Sequence, residues 1–459
     1  MKFVLLLLLS VAPFLSANGD TDGTEFVLSF ANVFNSKAEY NHHIVYYSND
    51  NGVSVIVNWR FLSLATGQFK TGSVTLQPYS LGRTEFNYAD ILWTNYGGFG
   101  QVSDVPDTRI LVTASSPIKL IGQYYYQGKY HDSHNLEDLY LVPSINAWGK
   151  NYKVQLPEPS GGHFRLIQLL PYKQDAQVTI QLYISGKLQT TTQISLTAAA
   201  GTDQHTIVAE YHPALINSSW IITSDVNIGV LAASTCVDTS KRCDYVAYSP
   251  MPVAAWDGVH SSSVVDQQFV LIENTHQIFI YPPVTTANQI PITVSSESGQ
   301  VIKGKSSTLT AIQYFPGNTL EFETKSPASG LGVSRLLING DQLIGSDAGG
   351  CLMNVIPVSS FVTGRTFFGT YGTNNYIEIY ILEKDMSTLT LNNQPIASYN
   401  AHVRPMATTN SLYVGIIVDL DKINKAPYLI NSTKKYIAYY VNLWAGRQAC
   451  YELSYNAIH

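Results

Sequence analysis

Trp220-Ile221-Ile222-Thr223-Ser224-Asp225-Val226-Asn227-Ile228-Gly229-Val230-Leu231 reads as an apolar strand, a tight polar turn and a second apolar strand. The same pattern stands upstream as Arg109-Ile110-Leu111-Val112-Thr113-Ala114-Ser115-Ser116-Pro117-Ile118-Lys119-Leu120-Ile121-Gly122. A weaker copy runs from Leu320 to Val333. With Thr113, Thr223 and Thr324 as markers, the copies lie 110 and 101 positions apart. Recurrence at a fixed period implies repeated structural units rather than one large core.

A second marker follows each copy. Val142-Pro143-Ser144-Ile145-Asn146-Ala147-Trp148-Gly149 matches Met251-Pro252-Val253-Ala254-Ala255-Trp256-Asp257, and Pro357-Val358-Ser359-Ser360-Phe361 is the third version. Trp148 to Trp256 is 108 positions and Trp256 to Phe361 is 105. Both markers agree on a period near that of a small β-sandwich. Short strands recur between turn signals, among them Phe164–Leu170, Ala176–Ile184 and His205–Glu210, and no stretch has sustained helical periodicity. The expectation is an all-β chain, a tandem array of about four β-sandwich-like units. They cover residues 18–147, 148–255, 256–360 and 361–459, after a signal peptide over 1–17. Trp148, Trp256 and Phe361 then fill the gaps between neighbouring units, and the prolines before them keep each crossover extended.

Two readings concern the first unit. Asn49-Asp50-Asn51-Gly52, between His42–Tyr47 and Val53–Trp59, carries the Asn-Gly signal of a hairpin. Residues 87–107, rich in Gly and Tyr, read as loop.

Met1-Lys2, an apolar run from Phe3 to Leu9 and a small residue at Ala17 form a secretory signal. No later run reaches the roughly 18 apolar residues of a membrane span. A net charge of −6 with no basic stripe excludes nucleic acid as the expected partner. The four cysteines of a secreted chain form two disulfides. Three connectivities are open; the short loop favours Cys236–Cys243, leaving Cys351 with Cys450. Asn217 and Asn431 stand in glycosylation sequons.

Signatures of catalysis are missing: no Gly-x-Ser-x-Gly elbow, no His-Glu-x-x-His and no phosphate-binding loop. His131-Asp132-Ser133-His134 occupies the place of the second unit's Cys236–Cys243 loop and reads as a solvated connector, not a metal site. His42-His43 reads as a strand or turn pair. Glu137-Asp138 and Glu321 with Glu323 read as surface charge rather than a catalytic carboxylate pair. No cofactor is expected. Tyr124-Tyr125-Tyr126 with Tyr130 is the candidate contact surface, since tyrosine combines area with a hydrogen-bonding tip.

The opening Gly23-Thr24-Glu25-Phe26-Val27, the Cys236-x6-Cys243-Asp244-Tyr245 loop and the segments Pro143 to Trp148 and Pro252 to Trp256 together resemble the N-terminal domain family of IgGFc-binding protein, over about residues 23–455. Asp257 stands where that family usually has Gly. The resemblance implies a secreted, β-rich, non-enzymatic module at mucosal or other extracellular surfaces. Its expected role is binding or adhesion to an extracellular protein or glycan, on a glycoprotein, mucus or a microbial surface; a structural matrix component is the alternative.

Overall fold

The structure is a computed structural model. It describes residues 19–31, 41–95, 100–127, 135–159, 163–185, 187–210, 215, 218–238, 243–253, 259–262, 273–281, 290–296, 301–306, 310–312, 320–324, 332–340, 349–405, 412–423, 426–444 and 447–457. The fold is all-β, and one seven-stranded topology occurs four times.

The first unit holds β1 (Gly23–Leu28), β2 (Asn41–Asn49), β3 (Val55–Leu62), β4 (Phe69–Leu76) and β5 (Ser80–Phe86), then a short helix α1 (Tyr88–Ile91), β6 (Gln101–Val105), β7 (Ile110–Gln127) and β8 (Asn135–Val142). All pairings are antiparallel. The first half of β7 sits in a sheet ordered β4-β3-β7-β1, and its second half in one ordered β5-β2-β7-β8.

The second unit repeats this with β9 (Gly149–Val154), β10 (Phe164–Leu170), β11 (Ala176–Ile184), β12 (Lys187–Leu196), β13 (Gln204–Glu210), β14 (Ser218–Asp238) and β15 (Cys243–Tyr248). Its sheets are β12-β11-β14-β9 and β6-β13-β10-β14-β15, so β6 crosses from the preceding unit to extend the second sheet.

The third unit has β16 (Val259–Ser262), β17 (Glu273–Tyr281), β18 (Ile290–Ser296), β19 (Val301–Ser306), β20 (Thr310–Ile312), β21 (Leu320–Thr324), β22 (Gly332–Gly340) and β23 (Gly349–Asn354). Here β21 and β22 do the work of one long strand, in sheets β16-β21-β18-β19 and β20-β17-β22-β23. The fourth unit has β24 (Val362–Phe368), β25 (Asn375–Leu382), β26 (Thr390–Leu391), β27 (Gln394–Pro395), β28 (His402–Pro405), β29 (Tyr413–Asp419), β30 (Tyr428–Trp444) and β31 (Arg447–Glu452). They run β27-β26-β30-β25-β29-β28, with β24 and β31 also on β30.

Three expectations are corrected. The repeated strand–turn–strand is not a hairpin: β7 and β14 run straight through it, and their two halves pair with different sheets. The polar centre, Ser115-Ser116-Pro117 in the first unit, is the corner where the strand changes sheets. Proline fits there because a corner needs no ladder donor at that point. Side chains close the corner: the Ile56 amide donates to Ser115 Oγ at 2.9 Å, and Asn51 Nδ2 donates to the Pro117 carbonyl at 2.7 Å.

Nor is Asn49–Gly52 a hairpin turn. β2 and β3 do not pair with each other; both lie along β7, one on each half. Asn49 explains the substitution. Its amide donates to the Val53 and Gln77 carbonyls at 2.9 and 2.8 Å, and its Oδ1 accepts from the Asn51 amide at 2.9 Å. Asx bonding of this kind builds a corner as readily as a tight turn. Residues 87–107, read as loop, contain α1, capped by Asn87 on the Ala89 amide at 3.0 Å, and β6.

The array closes on itself. The last strands of the four units, β8, β15, β23 and β31, pack together at the centre, β8 against β15 and β31, β23 against β15 and β31. Each core runs across a unit boundary. Leu166, Leu231 and Ala247 of the second unit join the first unit's core, and Leu336 and Leu352 of the third join the second's. Leu337 and Met353 of the third and Ile121, Leu139 and Leu141 of the first join the fourth's. Thr21 meets Ser454 across the last seam, hydroxyl to hydroxyl at 2.9 Å, and Arg365 donates to Asp50 at 2.7 Å.

Candidate functional site

At the centre, one position recurs. Counting six residues back from the start of each crossover, Ser144 and Pro357, gives Asp138 and Cys351; the matching residues on β15 and β31 are Asp244 and Cys450. Cys351 and Cys450 form a disulfide joining the third unit to the fourth, with Cα atoms 5.7 Å apart. The two aspartates staple the other seams. Asp138 accepts from its neighbour Leu139, from Ala247 at 2.7 Å and from Cys450. Asp244 accepts from Tyr245, from Gly350 at 2.9 Å and from Glu137. Burial raises both carboxyls well above the usual range, with the amide bonds working against it. Glu452, whose Oε1 accepts from Asn354, is pushed up to about 7, by burial first.

Arginines brace further seams. Arg109 forks onto Asp107 at 2.8 and 3.0 Å and donates to the Pro171 and Ala199 carbonyls of the second unit at 2.6 and 2.9 Å. Arg335 on β22 donates to Glu378 on β25 at 2.8 Å, both fully buried. This centre is a structural hub: the carboxylates of Asp138, Asp244 and Glu452 are buried and accept from backbone amides.

An open site lies elsewhere, on the outer face of the β4-β3-β7 sheet. A groove of about 470 Å³ is built from two cross-strand rows, Ser73–Asn58–Thr113 and Thr71–Arg60–Leu111, with Tyr172 of the second unit as its far wall. Between these rows runs Gly72–Trp59–Val112, whose side chains turn to the buried face of the sheet; a Cβ at Gly72 would come within 2.0 Å of the indole there. The Arg60 guanidinium lies over the Phe69 ring at 4.0 Å. Glu25 on β1, beside Thr113, is held by Lys173 at 2.5 Å and by the Tyr172 hydroxyl at 3.4 Å. Hydroxyls, an amide and a guanidinium on a rigid sheet can hydrogen-bond a polar ligand.

The residues singled out from sequence are placed as follows. Tyr124 and Tyr126 of the tyrosine run are buried, and these two side chains face the interior. Tyr124 is 0% exposed, bonds Asn41 Oδ1 at 2.7 Å and packs 4.6 Å from Tyr245. Tyr125 is half-buried beside His42, and Tyr130 lies outside the described residues. Glu137 and Asp138, read as surface charge, are buried at the hub. His42 bonds Glu85 at 2.6 Å, whereas His43 is buried edge-on to Phe30 at 5.1 Å, and burial pushes its pKa down to about 3, with His42 adding to the effect. Trp148 lies over Gly229 of β14, between the first two units, and Phe361 is fully buried edge-on to Tyr413 at 5.9 Å. Cys236 is disulfide-bonded. Asn431 is half-buried within β30. Trp256, Asn217, the side chain of Cys243 and the cluster His131–His134 lie outside the described residues, as do the side chains of Glu321 and Glu323.

The family model described as IgGFc binding protein matches residues 138–441. The chain belongs to the IgGFc binding protein family. That match runs from Asp138 of the hub to Val441 of β30, so it covers the second and third units, the fourth without β31, and the end of β8. No curated protein matches the chain. Among solved structures, a tetra-tandem repeat in the extending region of a large adhesion protein is similar at 11% identity, over 95% of this chain and 99% of that one, with a TM-score of 0.11. No helix among the described residues is long and apolar enough to cross a membrane.

Sequence reasoning missed the groove because its residues are ordinary strand polars, each unremarkable until β3, β4 and β7 align them. The hub aspartates did carry a signal: Asp138 and Asp244 sit at the same distance before a Pro or Ser crossover as Cys351.

Proposed function

We propose that this is a secreted, non-enzymatic binding module that holds a hydroxyl-rich extracellular ligand, a glycan of a glycoprotein, mucus or microbial surface, in the groove between the first and second units. The observation that carries this is the groove's lining: Asn58, Arg60, Thr71, Ser73, Thr113 and Tyr172 present donors and acceptors on a rigid floor, and the adjacent Glu25 is already paired. Preformed sites of this kind bind without paying to order a loop. The family's name supplies immunoglobulin Fc as a protein ligand to compare; no residue of the groove speaks for it. The four-unit division at 147, 255 and 360 belongs to the same reading, with the ring as the scaffold that fixes the groove.

The test is a glycan array, with Fc fragment as a parallel probe, followed by titration of the hits against Arg60→Ala and Tyr172→Ala. Loss of one groove hydrogen bond to a charged donor corresponds to about tenfold in affinity. Both variants should weaken binding by that factor with an unchanged melting temperature. Hits bound equally well by both variants would remove the groove from the function, and an array with no hits would remove the glycan.

A further inference from the structure

The repeated topology shows what the molecule does with one particular sheet edge. In every unit the second sheet runs outward from the long strand through a second and a fifth strand. In the second unit that fifth strand, β13, is covered by β6, antiparallel, in a register from Gln204↔Val105 to Val208↔Gln101. In the fourth unit the equivalent strand, β29, is covered by β28, from His402↔Ile417 to Pro405↔Val414. In the first unit the equivalent strand is β5, and among the described residues its sheet ends there. An uncovered edge presents a row of free N–H and C=O groups, a template for another strand.

We propose that the outer edge of β5 takes up an extended segment of a partner polypeptide as an antiparallel strand, filling the seat that β6 and β28 fill in the second and fourth units. The equivalent strand of the third unit, β20, also ends its sheet among the described residues. The two internal occupants define the chemistry. Each is four or five residues long, and each carries valine. Val102 packs on the second unit's core and Val105 is buried, while Asp104 reaches His205 at 2.5 Å. The occupant of β5 is therefore a short β-branched strand with unblocked backbone groups, recognised mainly through its main chain. The Arg83 and Glu85 side chains on β5 are exposed, which discourages indiscriminate pairing of the free edge. Leu81, 36% exposed, lies against Gly369 of the fourth unit and marks the closed end of the seat. The seat is distinct from the groove, and its test is independent of Arg60.

The probe is a synthetic peptide of the chain's own β6 segment, Gly100 to Pro106, added at millimolar concentration to the intact protein, with amide hydrogen exchange followed over Ser80–Phe86. Exchange there should slow at least tenfold. The same peptide N-methylated at alternate residues should have no effect. Consecutive residues of a strand point their N–H groups to opposite sides, so one of Arg83→Pro and Thr84→Pro removes an outward donor and leaves the β2 pairing intact. The variant that keeps the wild-type melting temperature should abolish the peptide's effect. No slowing with the peptide, or equal slowing in that variant, overturns the proposal. Slowing that depends on protein concentration without peptide also overturns it, since the occupant is then a second copy of the chain.

Discussion

Asp138 and Asp244 each collect three backbone donors from three different strands, and that number explains how a buried carboxyl can hold a seam. An amide N–H left unpaired in the interior costs about 1–3 kcal/mol, so the acceptor is worth its own desolvation. Glu452 accepts from the Asn354 side chain and from the backbone amides of Asn354 and of Glu452 itself, and burial still pushes its pKa to about 7 from an ordinary 4.5. The folded state therefore holds this proton between those two values while the unfolded chain releases it. Stability from this group is fully present below pH 4.5 and is lost as the pH rises through about 7. Asp138 and Asp244 act in the same direction; buried His43, neutral down to about pH 3, acts in the opposite one below pH 6.5. A Glu452→Gln variant keeps the Oε1 acceptor and removes the titration. The difference in unfolding free energy between wild type and variant should fall by about 3 kcal/mol from pH 4.5 to 7.5, read from urea denaturation at stepped pH. A flat difference would mean that Glu452 is ionised in the fold at all these values.

At the scale of elements, the period and most strands were legible in the sequence because β-branched runs and turn residues alternate plainly. What the sequence did not reveal was the partner of each half of the long strand. Ile110–Ala114 and Ile118–Tyr126 look like two arms of a hairpin, and only the pairing of β3 with one and β2 with the other shows a continuous strand. Local pattern sees the break in polarity at Ser115–Pro117; it does not see whether the chain folds back there or turns a corner. The Asn49 and Asn51 side chains pose the same ambiguity, since their bonds serve either geometry. The disulfide lies on the third-to-fourth seam for the same topological reason that the aspartates lie on the others: all four positions face the hub from a last strand. Closing a loop with a sequence separation of 99 contributes about 4–5 kcal/mol in the chain-entropy account. The Cys351→Ser, Cys450→Ser double variant should melt well below the wild type and keep its far-ultraviolet circular dichroism, because β23 and β31 retain their own ladders with β22 and β30. Complete loss of the β signal at room temperature would show that the hub needs its covalent link to form at all.

At the scale of the whole molecule, closure changes what a tandem array means. In an open array each unit touches only its neighbours, and stability is close to a sum of units and interfaces. Here the fourth unit's core is completed by Ile121, Leu139 and Leu141 of the first, and by Leu337 and Met353 of the third. Removing residues 361–459 would strip apolar cover from two units at once. The same closure lets a groove at one seam stay rigid, since the first unit is braced on both sides, by Arg109 reaching the second unit and by Asp50 bound to Arg365 of the fourth. Melting should therefore be a concerted event rather than four separate ones. Scanning calorimetry at pH 5 is expected to give a single endotherm whose calorimetric enthalpy matches the van't Hoff value. A 1–360 fragment should show no cooperative transition of its own, because its exposed faces on the first and third units face one another across a missing quarter of the ring. Several resolved endotherms, or a 1–360 fragment that melts as sharply as the intact chain, would mean that the units are stable alone and the hub merely gathers them.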